Sequence, residues 1–397
     1  MLLSLLVYGL TGATLFFLGW HVNKREQQSL LQGGKLLPFY SWEIMLSLIV
    51  FSVVAGARYH TGYDHAMYLE QYQHLQQTGE FSRHNFEYGF EWISKIFAWC
   101  HIHYFFYFAF WALLQIGFLY YGLRNHKHLL CWVGLGIMCG SYFLGWMNSV
   151  RQSVVVCLFV VLIPLINDRK FIPYVLIVVA AAFIHKSVLL VLPAFLFSFL
   201  KIDSTMPKKW IMMTIFIVCI LFGTFLPILF NYNEIISNSD NKWLLDITGY
   251  SNYGNLNDPN VGNHWKGLVT WGASRISMFL GSLALIWLFP EIKEHFKNDK
   301  LLSYFYVFAF IGICSYFLLM NTTHFILRPT DYFLIFYLIM GAYVMEYLTK
   351  SPRNIWLSIV ISLLLYTHFI VDVYKGAYRS TDTTRPFIYH TFLFPTF

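Results

Sequence analysis

Residues 145–156 read GWMNSVRQSVVV, and Arg151 stands there between two long apolar runs with no acidic residue within ten positions. A guanidinium at that depth is costly, so it requires an anionic partner: a carboxylate from a distant part of the chain or a phosphate from a ligand. Arg58 in ARYHTGYDHAMY, Arg275 at the start of a later apolar run, and Arg328 in THFILRPTDYF also lie near the ends of such runs. Lys186 follows His185 at the break in FIPYVLIVVAAAFIHKSVLLVLPAFLFSFL. Several cations with few carboxylates close by form the pattern of a diphosphate clamp, because a planar guanidinium binds two phosphate oxygens at once. Asn148, Gln152, Asp331, Tyr63 and Glu91 are the polar groups that would complete such a site. Arg58 alone reads equally as an arginine snorkelling to an interface, and Arg328 with Asp331 as a plain ion pair.

Proton transfer needs a base near these cations. Glu87 and Glu91 lie four apart in NFEYGFEWISKIF. On a helix both would share one face, and like charges that close raise the pKa of one of them. That suits a base working near neutral pH. Pairing of Glu91 with Lys95 is the plainer reading. Asp64 is the second candidate, or else the N-cap of an amphipathic helix bearing Tyr63, Met67, Tyr68 and Tyr72. His185 is the third.

These groups must be held by an apolar scaffold. Of 397 residues, 57% are hydrophobic, 20% aromatic and 12% charged, whereas soluble domains carry about 25% charged residues. Repeated runs of about twenty apolar residues predict an all-α, polytopic helical membrane protein. About 12 membrane segments are expected: 2–20, 38–56, 103–123, 129–147, 152–167, 171–184, 188–200, 210–230, 273–290, 301–320, 331–347 and 354–371. Residues 171–200 would make one helix of about 45 Å, too long for a hydrocarbon core of about 30 Å. A hairpin with His185 and Lys186 at its tip is preferred to one tilted helix.

The first apolar run lacks a basic leader and a small-residue cleavage site, so it reads as a retained span. Six cysteines in or beside apolar runs predict neither a disulfide framework nor a zinc site. The net charge of +7 suits an anionic leaflet and anionic ligands, not nucleic acid. No glycine-rich phosphate motif is present, and no nucleotide cofactor is expected. With both termini outside, fifteen of the 27 Lys and Arg residues fall in inner connectors, while the outer ones are mostly single. The chain reads as one integral membrane domain over 1–397 with two large outer loops, 57–102 and 231–272. Both loops are rich in Tyr, Trp, His, Asn and Asp, which suit sugar contacts as well as an interfacial belt.

In their order along the chain, ARYHTGYDHAMY, FEYGFEWISKIF, MNSVRQSVVVCLFV, AAFIHKSVLLVLPAFL and RPTDYF make the sequence resemble the EpsG family of Wzy-type polysaccharide polymerases. NSVRQ and FIHKS are the most specific pieces. The chain departs at His65, where the family often has Tyr after the Asp. The resemblance implies a multi-pass enzyme of the bacterial inner membrane, GT-C-like, making O-antigen, capsule or exopolysaccharide. It implies transfer of a growing glycan from undecaprenyl diphosphate to a lipid-linked repeat unit at the periplasmic face, inverting and with neither metal nor cofactor. Arg58, Arg151 and Arg328, with Arg275 and Lys186, would stabilise the leaving diphosphate; Glu87, Asp64 or His185 would be the base. The implied partners are undecaprenyl-diphosphate-linked glycans, membrane lipids and a chain-length regulator. An O-antigen ligase would use the same donor. A flippase or transporter should show ionisable groups deep in several helices and an inverted repeat, which the sequence lacks.

Overall fold

The computed structural model describes residues 2–59, 61–62, 64–82, 86–200, 202, 206–229, 273–320, 327–351, 355–378, 389 and 391. Its regular elements are helices. In chain order they are α1 (Leu2–Leu31), α2 (Trp42–Gly56), α3 (His65–Thr78), α4 (Tyr88–Trp99), α5 (Tyr104–Gly122), α6 (Leu130–Cys139), α7 (Tyr142–Asn148), α8 (Val150–Asn167) and α9 (Phe171–Ala182). A 3-10 segment, Lys186–Phe199, comes next. Then follow α10 (Lys209–Leu229), α11 (Ala273–His295), α12 (Leu302–Leu319), α13 (Asp331–Lys350) and α14 (Ile355–Tyr378). Apolar chain in lipid has no water to satisfy its backbone, so each segment must close its own hydrogen bonds. Leu6, Phe17, Phe222 and Leu363 stand exposed on the helix surfaces, as lipid-facing residues must.

The expectation of 12 segments is not met. Among the described residues six helices are long and apolar enough to cross a membrane: Leu2–Leu31, Tyr104–Gly122, Val150–Asn167, Arg275–His295, Leu302–Leu319 and Arg328–Lys350. A seventh arises if Lys127–Cys139 and Tyr142–Asn148, bent by 63°, count as one broken span. The bend falls at Ser141, whose backbone is left-handed. Trp42–Gly56, Phe171–Ala182, Lys186–Phe199, Lys209–Thr224 and Ile355–Val371 are apolar but shorter. Rise per residue is the reason: the 12 residues of α9 reach only about 18 Å along the axis. The chain is a multi-pass helical membrane protein.

Between residues 171 and 200 the chain turns back on itself. Tyr174 Oη donates to Val191 O at 2.5 Å, and Phe195 packs against the rings of Phe171 and Tyr174. His185, with extended backbone, separates the two arms. The returning arm is 3-10 over 14 residues, and its steeper rise stretches it to roughly 28 Å.

One end of the bundle collects the C-termini of α2, α7 and α9 and the N-termini of α1, α5, α8 and α13. Of the two long loops, 57–102 folds into α3 and α4 over this end, and 231–272 lies outside the described residues. A small second core holds α3 and α4 in place: Tyr68, Leu69, Phe81 and Phe90 pack with Trp111 of α5 and with Val150 and Val154 of α8. Tyr72 stacks on Tyr107 at 4.2 Å between ring centres and donates to Ile102 O at 2.6 Å. The opposite end is closed by ion pairs, Lys127–Glu26 at 2.7 Å and His126–Asp299 at 3.0 Å.

Candidate functional site

Arg151 lies in the first turn of α8, directed at α4. Its Nη1 donates to Glu87 Oε2 in a short ion pair, and its Nε donates to Tyr68 Oη at 3.3 Å. The guanidinium also lies 4.8 Å from the ring centre of Phe86 and 5.2 Å from that of Phe90. The other Glu87 oxygen accepts from His185 Nδ1 at 3.0 Å and from the Lys186 amide at 3.1 Å. One carboxylate thus ties together the start of α4, the start of α8 and the hairpin tip.

The tip is docked by its backbone as well. Phe183 O accepts from the amides of Gly89 and Phe90 at 2.8 and 3.2 Å. These are among the N–H groups that a helix start leaves without intrahelical partners. A Cβ at residue 89 would stand 2.7 Å from Phe183 O, so glycine is what admits the tip. On the other side, Ser187 Oγ and Tyr332 Oη are 2.8 Å apart.

Burial alone would raise the Glu87 pKa, but the bonds from His185 and the Lys186 amide and the charge of Arg151 outweigh it and hold the carboxyl at about 2. This corrects the reading of Glu87 as a base raised by Glu91. Three donors occupy its two oxygens, and a carboxylate held that low is a weak base. Glu91 sits in the first turn of α4 and forms no ion pair among the described residues. Burial lowers the His185 pKa; Glu87 opposes this, while Arg151 and Arg328 add to it.

The remaining residues are placed unevenly. Arg328 is near enough to act on His185, and its carbonyl accepts from Gln152 Nε2 at 2.8 Å. The same Nε2 is 3.4 Å from Asp331 Oδ2. Arg151, Gln152, His185, Arg328 and Asp331 therefore share one neighbourhood. Arg58 is enclosed at 2% exposure, with Nη1 donating to Met147 O at 2.8 Å and the guanidinium over Phe108. Burial lowers its pKa to about 9, against the pull of Tyr8, Tyr389 and Tyr68. An arginine so enclosed has no face to offer a diphosphate, which corrects its assignment to the clamp. Arg275 donates Nη2 to Met320 O at 2.8 Å, beyond the end of α12. The Lys186 side chain is exposed, and it is the backbone amide that enters the network.

Asp64 takes the N-cap position of α3 without a side-chain capping bond. Asn148 ends α7 and faces Gly62, where φ is +100° and a Cβ would lie 2.6 Å from Asn148 Oδ1. His65 is buried with its ring 4.7 Å from that of Phe108. Tyr63 lies outside the described residues.

Beside this network opens a cavity of about 680 Å³. Ser149, Gln152, Ser153 and Asp331 line its polar end; elsewhere it is walled by residues such as Leu135, Leu285, Leu338 and Leu365. Its lining on α13 runs from Asp331 to Met345, roughly 21 Å of helix. The spacing of Ser149, Gln152, Ser153 and Val156 puts them on one face of α8, and Arg151 points away from it. Tyr68, Ser187, Tyr332 and the cavity itself were missed in reading the sequence. The row of small polar residues after Asn148 was the one available signal for the last.

Apolar helices long enough for a bilayer, with a charged network at one end and an apolar cavity beside it, define a multi-pass helical membrane protein. The chain belongs to the EpsG family, whose family model matches residues 42–383. Members of that family are Wzy-type polysaccharide polymerase-like. No curated protein and no solved structure matches the chain.

Proposed function

We propose that this protein is a membrane glycosyltransferase of the polysaccharide polymerase type, moving a growing glycan from a lipid diphosphate to a second lipid-linked repeat unit. The cavity carries the reading. It is an apolar slot of about 680 Å³ whose polar end, at Gln152 and Asp331, lies next to Arg328. Such a slot suits an amphiphile with a long apolar tail and an anionic head. The tail lies along α13 and the diphosphate meets Arg328. As the acceptor hydroxyl attacks with inversion at C1, negative charge grows on the departing diphosphate, and fixed cations stabilise that charge. In this reading Arg328, a neighbour of Asp331 at the polar end, is one such cation, while Arg151 acts from behind by holding Glu87 and the hairpin tip.

Family membership supports undecaprenyl diphosphate as the carrier, the bacterial inner membrane as the location and a GT-C-like arrangement. In this reading the end of the bundle bearing Arg151, with the loops 57–102 and 231–272, faces the periplasm, and a chain-length regulator is a partner there. The product is O-antigen, capsule or exopolysaccharide.

Gly341 lines the cavity on α13, and a Cβ there meets nothing within 4 Å. Gly341→Phe therefore fills the slot without displacing backbone. The substrate for the assay is the lipid-linked repeat unit that accumulates in a deletion strain, presented to the purified protein in liposomes. The wild type yields a polymer ladder, and Gly341→Phe loses it about tenfold or more, equivalent to about 1.4 kcal/mol of donor binding. An undiminished ladder from Gly341→Phe at normal thermal stability removes the cavity from the reaction. Long unattached chains in the deletion strain, in place of single repeats, make the protein a ligase.

A further inference from the structure

An acceptor hydroxyl sheds its proton as it attacks, and the group that takes it needs a lone pair within hydrogen-bond reach. Glu87 has little to offer, with Oε2 engaged by Arg151 and Oε1 by His185 and the Lys186 amide. His185 is differently placed. Its Nδ1 is committed to Glu87, so the ring proton stays on Nδ1 and the lone pair is on Nε2. The side chain keeps 23% of its surface exposed, and it stands at the same end of the bundle as the polar mouth of the cavity.

Resting on the polymerase reading, we infer that His185 is the catalytic base and Glu87 the positioning residue that sets its tautomer. The ring is held by several anchors. Phe183 O is bound by two amides of α4, Ser187 is bound to Tyr332 of α13, and the Val188 amide donates to His185 O at 3.2 Å. The charged groups around the imidazole are Glu87 before α4, Arg151 on α8 and Arg328 before α13. Burial lowers its pKa, with the two arginines adding to this and Glu87 opposing it, and so favours the neutral ring from which a base must start. Once protonated it is steadied by the Glu87 carboxylate.

In the step, the acceptor O–H proton passes to His185 Nε2 and the oxygen electron pair forms the new bond to C1. The C1–O bond to the diphosphate breaks, and its electron pair leaves on the diphosphate oxygen. The imidazolium then releases its proton to water.

The test uses the full-length protein in liposomes with the lipid-linked repeat unit from the deletion strain. His185→Ala and His185→Gln lower kcat by about 10²–10⁴-fold, with KM within about threefold of wild type. Added imidazole restores part of the His185→Ala activity. His185→Gln keeps a donor toward Glu87 and guards against a folding defect. Glu87→Asp keeps KM, lowers kcat and moves the acid limb of the pH–kcat profile, which a merely structural carboxylate would leave in place. Activity of His185→Gln within about threefold of wild type overturns the assignment, as does an unmoved acid limb in Glu87→Asp. A wild type that makes no polymer from this substrate sinks the polymerase reading instead. Polymer made equally by wild type and His185→Gln sinks only the base.

Discussion

Glu87→Gln tests the network at its centre. The substitution keeps the shape of the side chain and removes the charge that Arg151 faces. A carboxyl lowered from 4.5 to about 2 has its anion favoured in the fold by roughly 3 kcal/mol. The two side chains are 9% and 16% exposed, so solvent screens little of this. Leaving one partner of a buried pair uncompensated costs about 3–5 kcal/mol, which agrees. Thermal unfolding in detergent, followed through the 13 tryptophans, should show Tm lowered by roughly 4–6 °C. Because the folded pKa is depressed, the contribution is complete above about 4.5 and is lost as pH falls toward about 2. The gap between wild type and variant therefore closes in acid. The double variant Glu87→Leu/Arg151→Met removes both charges and should recover part of the loss, since the His185 and Lys186 donors still lose their acceptor. A Glu87→Gln protein melting within about 1 °C of wild type at pH 7 would refute the reasoning, as would a gap that persists unchanged at pH 3.

Three other outcomes follow from single contacts. Gly89→Ala puts a Cβ 2.7 Å from Phe183 O, so the tip should lift from α4 at a cost of about 1–3 kcal/mol, read as a lower Tm together with lost turnover. Tyr332→Phe deprives buried Ser187 of its partner and should cost about 1–3 kcal/mol by the same thermal assay. At the far end of the bundle, Asp299 is raised by burial but held at about 2 by His126, Tyr343 and the Leu301 amide. Asp299→Asn should lower Tm above about pH 4 and converge with wild type toward pH 2, while KM for the lipid-linked unit stays unchanged.

Much of the site could be read locally, and its errors have a common origin. That Arg151 needs an anion followed from the absence of any acid near it in the chain. The identity of that anion did not, because Glu87 lies 64 positions away. The pairing of Glu87 with Glu91 came from helical spacing, which describes neighbours on one helix only. The donors that decide the charge of Glu87 come from α8 and the hairpin tip instead. The reversal at His185 was legible because thirty helical residues are too long for the membrane. The segment count was not, because apolar composition does not say whether a short helix crosses or stops part-way.

The amino-acid sequence by itself determined that this chain is a multi-pass helical membrane protein, that it resembles the EpsG family, and that several of its cations lie near the ends of apolar runs. Composition and period act locally, and lipid leaves a backbone few alternatives. Tertiary structure alone decided that Arg151 closes on Glu87, that Arg58 is walled in, that His185 is held by its Nδ1, and that α6, α8, α11, α13 and α14 leave a cavity between them. Those outcomes depend on how surfaces far apart in the chain fit together, and on which buried charge finds which partner.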